Sequence, residues 1–166
     1  MENKVCLVLI HEAKFSNDED YNRFLNTLSL LKEGNCCILY AYCLLPGCAY
    51  ILLQEKQWTI KQCAEQFLPC CYHEDVEYEY EECTNIEHFL DLFRHVCQIP
   101  VKVGVCDSPD EYPYGSWVKE YLGINANRLC SPAILVQRFG LNTLKKAVAT
   151  PLSDDCRFPE YDPIDV

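Results

Sequence analysis

Residues 36–44 (CCILYAYCL) and 48–53 (CAYILL) are two β-rich runs separated by Pro46-Gly47. Pro-Gly is a strong turn signal, because proline presets one turn dihedral and glycine accepts a backbone angle that other residues resist. Two such runs joined by so short a turn predict an antiparallel hairpin. The rest of the chain has to be arranged around it.

On the N-terminal side, residues 4–10 (KVCLVLI) read as a buried strand, followed by a loop at residues 14–17. Ser16 or Asn17 can cap a helix whose positive first turn holds Asp18, Glu19 and Asp20. In that helix Tyr21, Phe24, Leu25, Leu28 and Leu31 recur at three- and four-residue steps, which marks one apolar face ending at Gly34-Asn35. Beyond the hairpin, Thr59 caps a second helix running to about Phe67, with Pro69 stopping it. Residues 74–80 alternate acids with apolar side chains, the pattern of a half-exposed strand. Thr84 or Asn85 caps a third helix with a buried stripe of Ile86, Phe89, Leu90, Phe93 and Val96, closed by Pro100. A turn-rich connection around Pro109, Pro113 and Gly115 leads to two short helices near residues 132–139 and 143–149.

The order β-α-β-β-α-β-α predicts an α+β fold, a ferredoxin-like antiparallel sheet with helices packed on one face and a short helical C-terminal extension. The expected division is a main domain over residues 1–123, the extension over 124–150, and a polar surface tail over 151–166.

Charge narrows the partners. There are 14 Lys plus Arg against 25 Asp plus Glu, a net charge of -11. A polyanion is normally met by a basic surface, so this balance argues against tight, non-specific binding of nucleic acid. Thirteen cysteines are present, an odd number without a C-x-x-C pair, and the adjacent pairs Cys36-Cys37 and Cys70-Cys71 are poor disulfide partners. Residues 5–10 are too short an apolar run for a signal peptide or a membrane span. Reduced thiols packed as small apolar groups, in a cytoplasmic protein with no membrane contact, fit this pattern.

Three stretches together resemble the REP-associated tyrosine transposases, small HUH single-strand DNA transposases. Residues 15–24 (FSNDEDYNRF) are similar to the family's opening helix. Residues 39–53 (LYAYCLLPGCAYILL) resemble its YAYCLMPNHVHLL core. Residues 95–104 (HVCQIPVKVG) resemble YIHQNPVKAG and lead into residues 108–117 (SPDEYPYGSW), close to SPEDYPWSSY. The resemblance runs from about residue 5 to residue 123. It implies an HUH-transposase type of fold. It also implies a site in which two strand histidines and a third ligand hold a divalent metal while a tyrosine attacks the scissile phosphate.

Position by position, the resemblance implies that this chemistry is lost. The two histidines fall on Cys48 and Tyr50, the tyrosine nucleophile on His95, and the polar residue four positions later on Ile99. No catalytic residue, metal site or cofactor is therefore expected. Positions where the family carries basic residues fall on Val8, Glu77 and Glu79, and an anion in place of a cation beside a phosphate turns attraction into repulsion. Lys56, Lys61, Arg94 and Lys102 are the cations nominated for any residual phosphate contact.

The leading expectation is a catalytically inactive transposase-like protein that at most binds DNA hairpins or single strands. One alternative is an acidic module that binds a basic protein partner. Another is a repurposed Cys/His metal site at Cys48 and His95, for which only two good ligands are visible. A stacking role for Tyr78 and Tyr80 competes with an ordinary amphipathic strand.

Overall fold

A computed structural model describes residues 3–123 and 129–153. Four strands form one sheet: β1 (Val5–Ala13), β2 (Cys37–Leu45), β3 (Gly47–Glu55) and β4 (Tyr78–Glu82). Their order is β2-β3-β1-β4, and every neighbouring pair is antiparallel. The expected hairpin is present, with Leu45 opposite Cys48 and only Pro46-Gly47 between them. Gly47 has φ 90°, in the region that a β-carbon disfavours, so a glycine is needed at this turn.

Three helices take up the polar and apolar patterns of the intervening segments: α1 (Asp18–Glu33), α2 (Ile60–Glu65) and α3 (Ile86–Lys102). Each starts at a side chain that accepts from its own first turn: Asn17 from Asp20 N–H, Thr59 from Gln62 N–H, and Asn85 from His88 N–H. Thr59 and Gln62 form a full capping box. Two further helices, α4 (Pro132–Phe139) and α5 (Leu141–Ala149), follow in the C-terminal extension. No described helix is long and apolar enough to cross a membrane.

The antiparallel α+β reading stands, but the helices cover both faces of the sheet rather than one. Cys6, Val8, Ile10, Ala49 and Ile51 meet Phe24, Leu28, Ile60 and Phe67 from α1, α2 and the turn after α2. There Phe24 stacks on Phe67 with centroids 4.3 Å apart. Leu7, Leu9, Tyr50 and Leu52 point the other way, against Phe89, Phe93, Val96 and Ile99 of α3, with Leu135, Leu144 and Val148 of α4 and α5 completing that core. The reason lies in β1 and β3, whose apolar residues are consecutive instead of alternating; a strand apolar on both sides needs cover on both sides.

Being enclosed by the sheet and by α5, α3 departs from its expected stripe. Ile86 is exposed, whereas Leu92, Cys97 and Ile99 are buried beside Phe89, Phe93 and Val96. Pro100 does not close the helix. It lies in the last turn, which continues to Lys102, and Val103 N–H still reaches Ile99 O at 3.0 Å. A proline there forfeits its own N–H bond without displacing those of its neighbours. The strand expected over residues 74–80 forms later, as β4.

The two edges of the sheet differ. Along β2, Leu44 N–H donates to Tyr114 O at 3.0 Å and Tyr42 N–H to Ser116 Oγ at 2.9 Å. Tyr121 donates its hydroxyl to Tyr40 O at 2.7 Å, and Ser131 N–H donates to Leu39 O at 3.2 Å. The covering segment includes a wide helical turn at Trp117–Leu122 that buries Glu120, whose Oε1 accepts from Cys130 N–H at 2.8 Å. β4 is the opposite edge.

Candidate functional site

Strand geometry builds the first half of the site. Side chains alternate along β3, so Cys48, Tyr50 and Leu52 share the face beneath α3. α3 builds the other half, because His95 and Ile99 are four residues apart and so lie on one side of the helix. The Tyr50 and His95 rings meet with centroids 5.5 Å apart and planes at 43°. Cys48 lies opposite His11 on β1 and Leu45 on β2. The fold thus brings the four positions singled out in the sequence to one sheet–helix interface.

That interface is closed. Cys48 is 4% exposed, Tyr50 0%, His95 5% and Ile99 3%. Burial, then the charges of Lys102 and Arg94, lowers the His95 pKa to about 4. Burial pushes the Cys48 and Cys97 thiols far above their ordinary range. Cys43 is raised well above it too, by burial first and then by the neighbouring Cys48, Cys97 and Cys106. Burial thus favours the protonated thiols, the form that does not act as a nucleophile. Ile99 offers no donor atom. Among the described residues no three His, Cys, Asp or Glu side chains are placed to hold a metal ion. The donor set at the sheet–helix interface therefore does not fit a divalent cation.

The aromatics of the following segment seal the same region. Tyr112 donates its hydroxyl to Leu44 O, and Trp117 Nε1 donates to Asp110 Oδ1 at 2.8 Å. Phe93 packs edge-on against Trp117 and Tyr121. These rings are core, as aromatic residues with satisfied polar tips usually are.

The four nominated cations do not converge. Lys61 lies on α2, across the sheet from His95, within 4.0 Å of Glu65. Lys56 follows β3 and donates to Asn35 Oδ1 at 2.6 Å. Only Arg94 and Lys102 belong to α3. Arg94 pairs with Asp91 at 3.2 Å, and Lys102 donates to Ser153 O at 3.0 Å. Val8, aligned with a basic position, faces the core under α1 and cannot meet a phosphate. The tail lies outside the described residues from residue 154 onward.

Sequence reasoning missed two histidine–carboxylate pairs on the α3 side of β1 and β4. His11 Nε2 is 2.6 Å from Glu79, and His88 Nε2 is 3.2 Å from Glu81. The only available signal was the two-residue period of Glu77, Glu79 and Glu81. It also missed a groove of about 460 Å³ at the start of α3, floored by Tyr40, Phe89, Leu135 and Phe139 and flanked by Lys4 and Arg138.

With this geometry in hand, solved structures supply a comparison. The chain is similar to a REP-associated tyrosine transposase whose structure was determined bound to a REP hairpin. The TM-score is 0.60 at 11% identity, over 74% of this chain and 81% of that one. The fold is transposase-like. At this identity the likeness is one of fold. No protein-family model matches the sequence, and no curated protein matches it. The transposase-like sheet accounts for why the positions of Cys48, Tyr50, His95 and Ile99 come together, and the side chains there are this chain's own.

Proposed function

We propose that this protein keeps a transposase-like fold without strand-cleaving chemistry, and acts at most as a cytoplasmic binder of a DNA hairpin or single strand. The observation that carries the reading is the closed interface between β3 and α3. Where the resemblance places a metal, its ligands and a nucleophile, this chain has Cys48, Tyr50, His95 and Ile99, all buried. A phosphodiester could not reach that space without opening the core. Two features support residual binding. The similar structure is of a transposase bound to a REP hairpin. Arg94 and Lys102, the two nominated cations carried by α3, lie beside that interface and could meet a phosphate from outside it.

The test is incubation with single-stranded and hairpin DNA in magnesium or manganese. No covalent adduct should form, and an adduct mapped to any tyrosine overturns the reading. Hairpin binding, if retained, should weaken steeply with salt and with Arg94→Ala.

A second reading is favoured by a different observation. The net charge is -11, and the exposed strand β4 carries Glu79, Glu81 and Glu82. On that reading the protein is an acidic module for a basic protein partner. Co-purification with such a partner, and no shift of DNA at low salt, is the outcome that separates it from the first.

A further inference from the structure

We infer that the outer edge of β4 is a docking strand for an extended segment of another protein in which lysine or arginine alternates with apolar residues. The inference rests on the second reading above and adds the place and mode of contact.

Backbone orientation comes first. His11 N–H donates to Glu77 O at 2.9 Å, and Cys83 N–H donates to Val5 O at 2.8 Å. In an antiparallel ladder the bonds to one neighbour use every second residue. Residues 77, 79, 81 and 83 are thus committed to β1, and the N–H and C=O groups of Tyr78, Tyr80 and Glu82 point away from it. Among the described residues no strand lies on that side, and no backbone hydrogen bond outside the helices and the sheet ladder involves these three. The β2 edge differs, since Tyr112, Tyr114, Ser116, Tyr121 and Ser131 bond to its outward groups. An unpaired edge accepts an added strand through main-chain hydrogen bonds.

Side chains then select the occupant. Tyr78 and Tyr80 stand on the α1 side with rings 6.4 Å apart and 24° from parallel, and Tyr80 is 52% exposed. Glu79 and Glu81 stand on the α3 side, with side chains 56% and 41% exposed. An added strand alternates in the same way. Its residues opposite the tyrosines gain from being apolar, and those opposite the glutamates from being basic. His11, His88 and Lys4 already approach Glu79, Glu81 and Glu82, but a carboxylate has lone pairs for more than one donor. Other occupants fit less well. A second copy pairing β4 with β4 through Tyr80 would set glutamate against glutamate, and nucleic acid would bring phosphate to carboxylate. The overall charge of -11 further draws in a basic segment.

The experiment titrates the full chain with a labelled nine-residue peptide of alternating lysine and valine, followed by fluorescence anisotropy. Antiparallel pairing places the valines opposite the tyrosines, so backbone N-methylation of the valines removes the bonds to β4, whereas N-methylation of the lysines does not. The valine-methylated peptide should bind at least about tenfold more weakly than the lysine-methylated one, as expected for losing two or more hydrogen bonds. Tyr80→Pro, which removes one outward N–H at a position where an edge strand tolerates proline, should weaken the parent peptide with little change in circular dichroism. Equal binding of the two methylated peptides overturns the docking strand and leaves the acidic-module reading standing. No binding by any of the peptides at low salt overturns both. Self-association that Tyr80→Pro abolishes overturns the inference in favour of a second copy.

Discussion

The Tyr50 ring rests against the His95 imidazole, centroids 5.5 Å apart, and the pair ties the central strand to α3. The contact holds His95 in a core where its charged form is unwelcome, which makes the imidazole a titrating element of stability. The unfolded chain protonates an imidazole near about 6.5, whereas in the fold the His95 pKa is about 4.

Between those two values the unfolded state binds the additional proton. The His95 contribution to stability is therefore complete above pH ~6.5, and it falls as the pH drops until it is gone near pH ~4. The loss amounts to about 3 kcal/mol at the acid end. Denaturant unfolding of the parent and of His95→Leu across this range measures it. The variant should lose less stability on acidification, and parallel curves for the two proteins would refute the assignment.

Two cores on opposite sides of one sheet should respond independently. Phe24 of α1 and Phe93 of α3 are both fully buried, against opposite faces of the sheet. Phe24→Ala and Phe93→Ala are each expected to cost about 3–5 kcal/mol. With the sheet between them, the double variant should lose the sum to within about 0.5 kcal/mol, provided enough stability remains to measure.

The caps are individually testable. Asn17 Oδ1 accepts from Asp20 N–H at 3.0 Å, and Asn85 Oδ1 accepts from His88 N–H at 2.8 Å. Alanine at either position should cost about 1 kcal/mol, and aspartate should recover most of it. Equilibrium unfolding of the four variants decides this.

Glu120 is 1% exposed and holds the segment that covers β2 through its bond to Cys130 N–H. Glu120→Ala leaves that buried donor unpaired, at about 1–3 kcal/mol. Glu120→Gln keeps an acceptor oxygen and should cost less. Faster hydrogen exchange at Tyr42 and Leu44 in the alanine variant alone would mark the edge as loosened.

Much of the architecture was legible. The hairpin and the cap at Thr59 follow from local sequence, and the other two caps were narrowed to Ser16 or Asn17 and to Thr84 or Asn85. The meeting of Cys48 and Tyr50 with His95 and Ile99 was implied by the resemblance, since spacing alone puts each pair on one face of its own element. Which side of the sheet each helix crosses is not written in such spacing. Lys61 and Arg94 therefore looked like neighbours of one site, yet they lie on α2 and α3 across the sheet. The consecutive apolar residues of β1 did carry the signal for two covered faces, but the order of elements alone suggested one. The outward groups of β4 were invisible for a similar reason, since they depend on its register with β1, set by residues some 70 positions away.

The sealed β2 edge has a consequence for assembly. A sheet open on both sides can recruit a neighbour that is itself open, and growth then continues into a filament. This sheet has one available side among its described residues. A second copy joined along β4 would present only its own sealed β2 side outward, and the array would end there. Copies of this chain joined along β4 therefore form no fibre by this route.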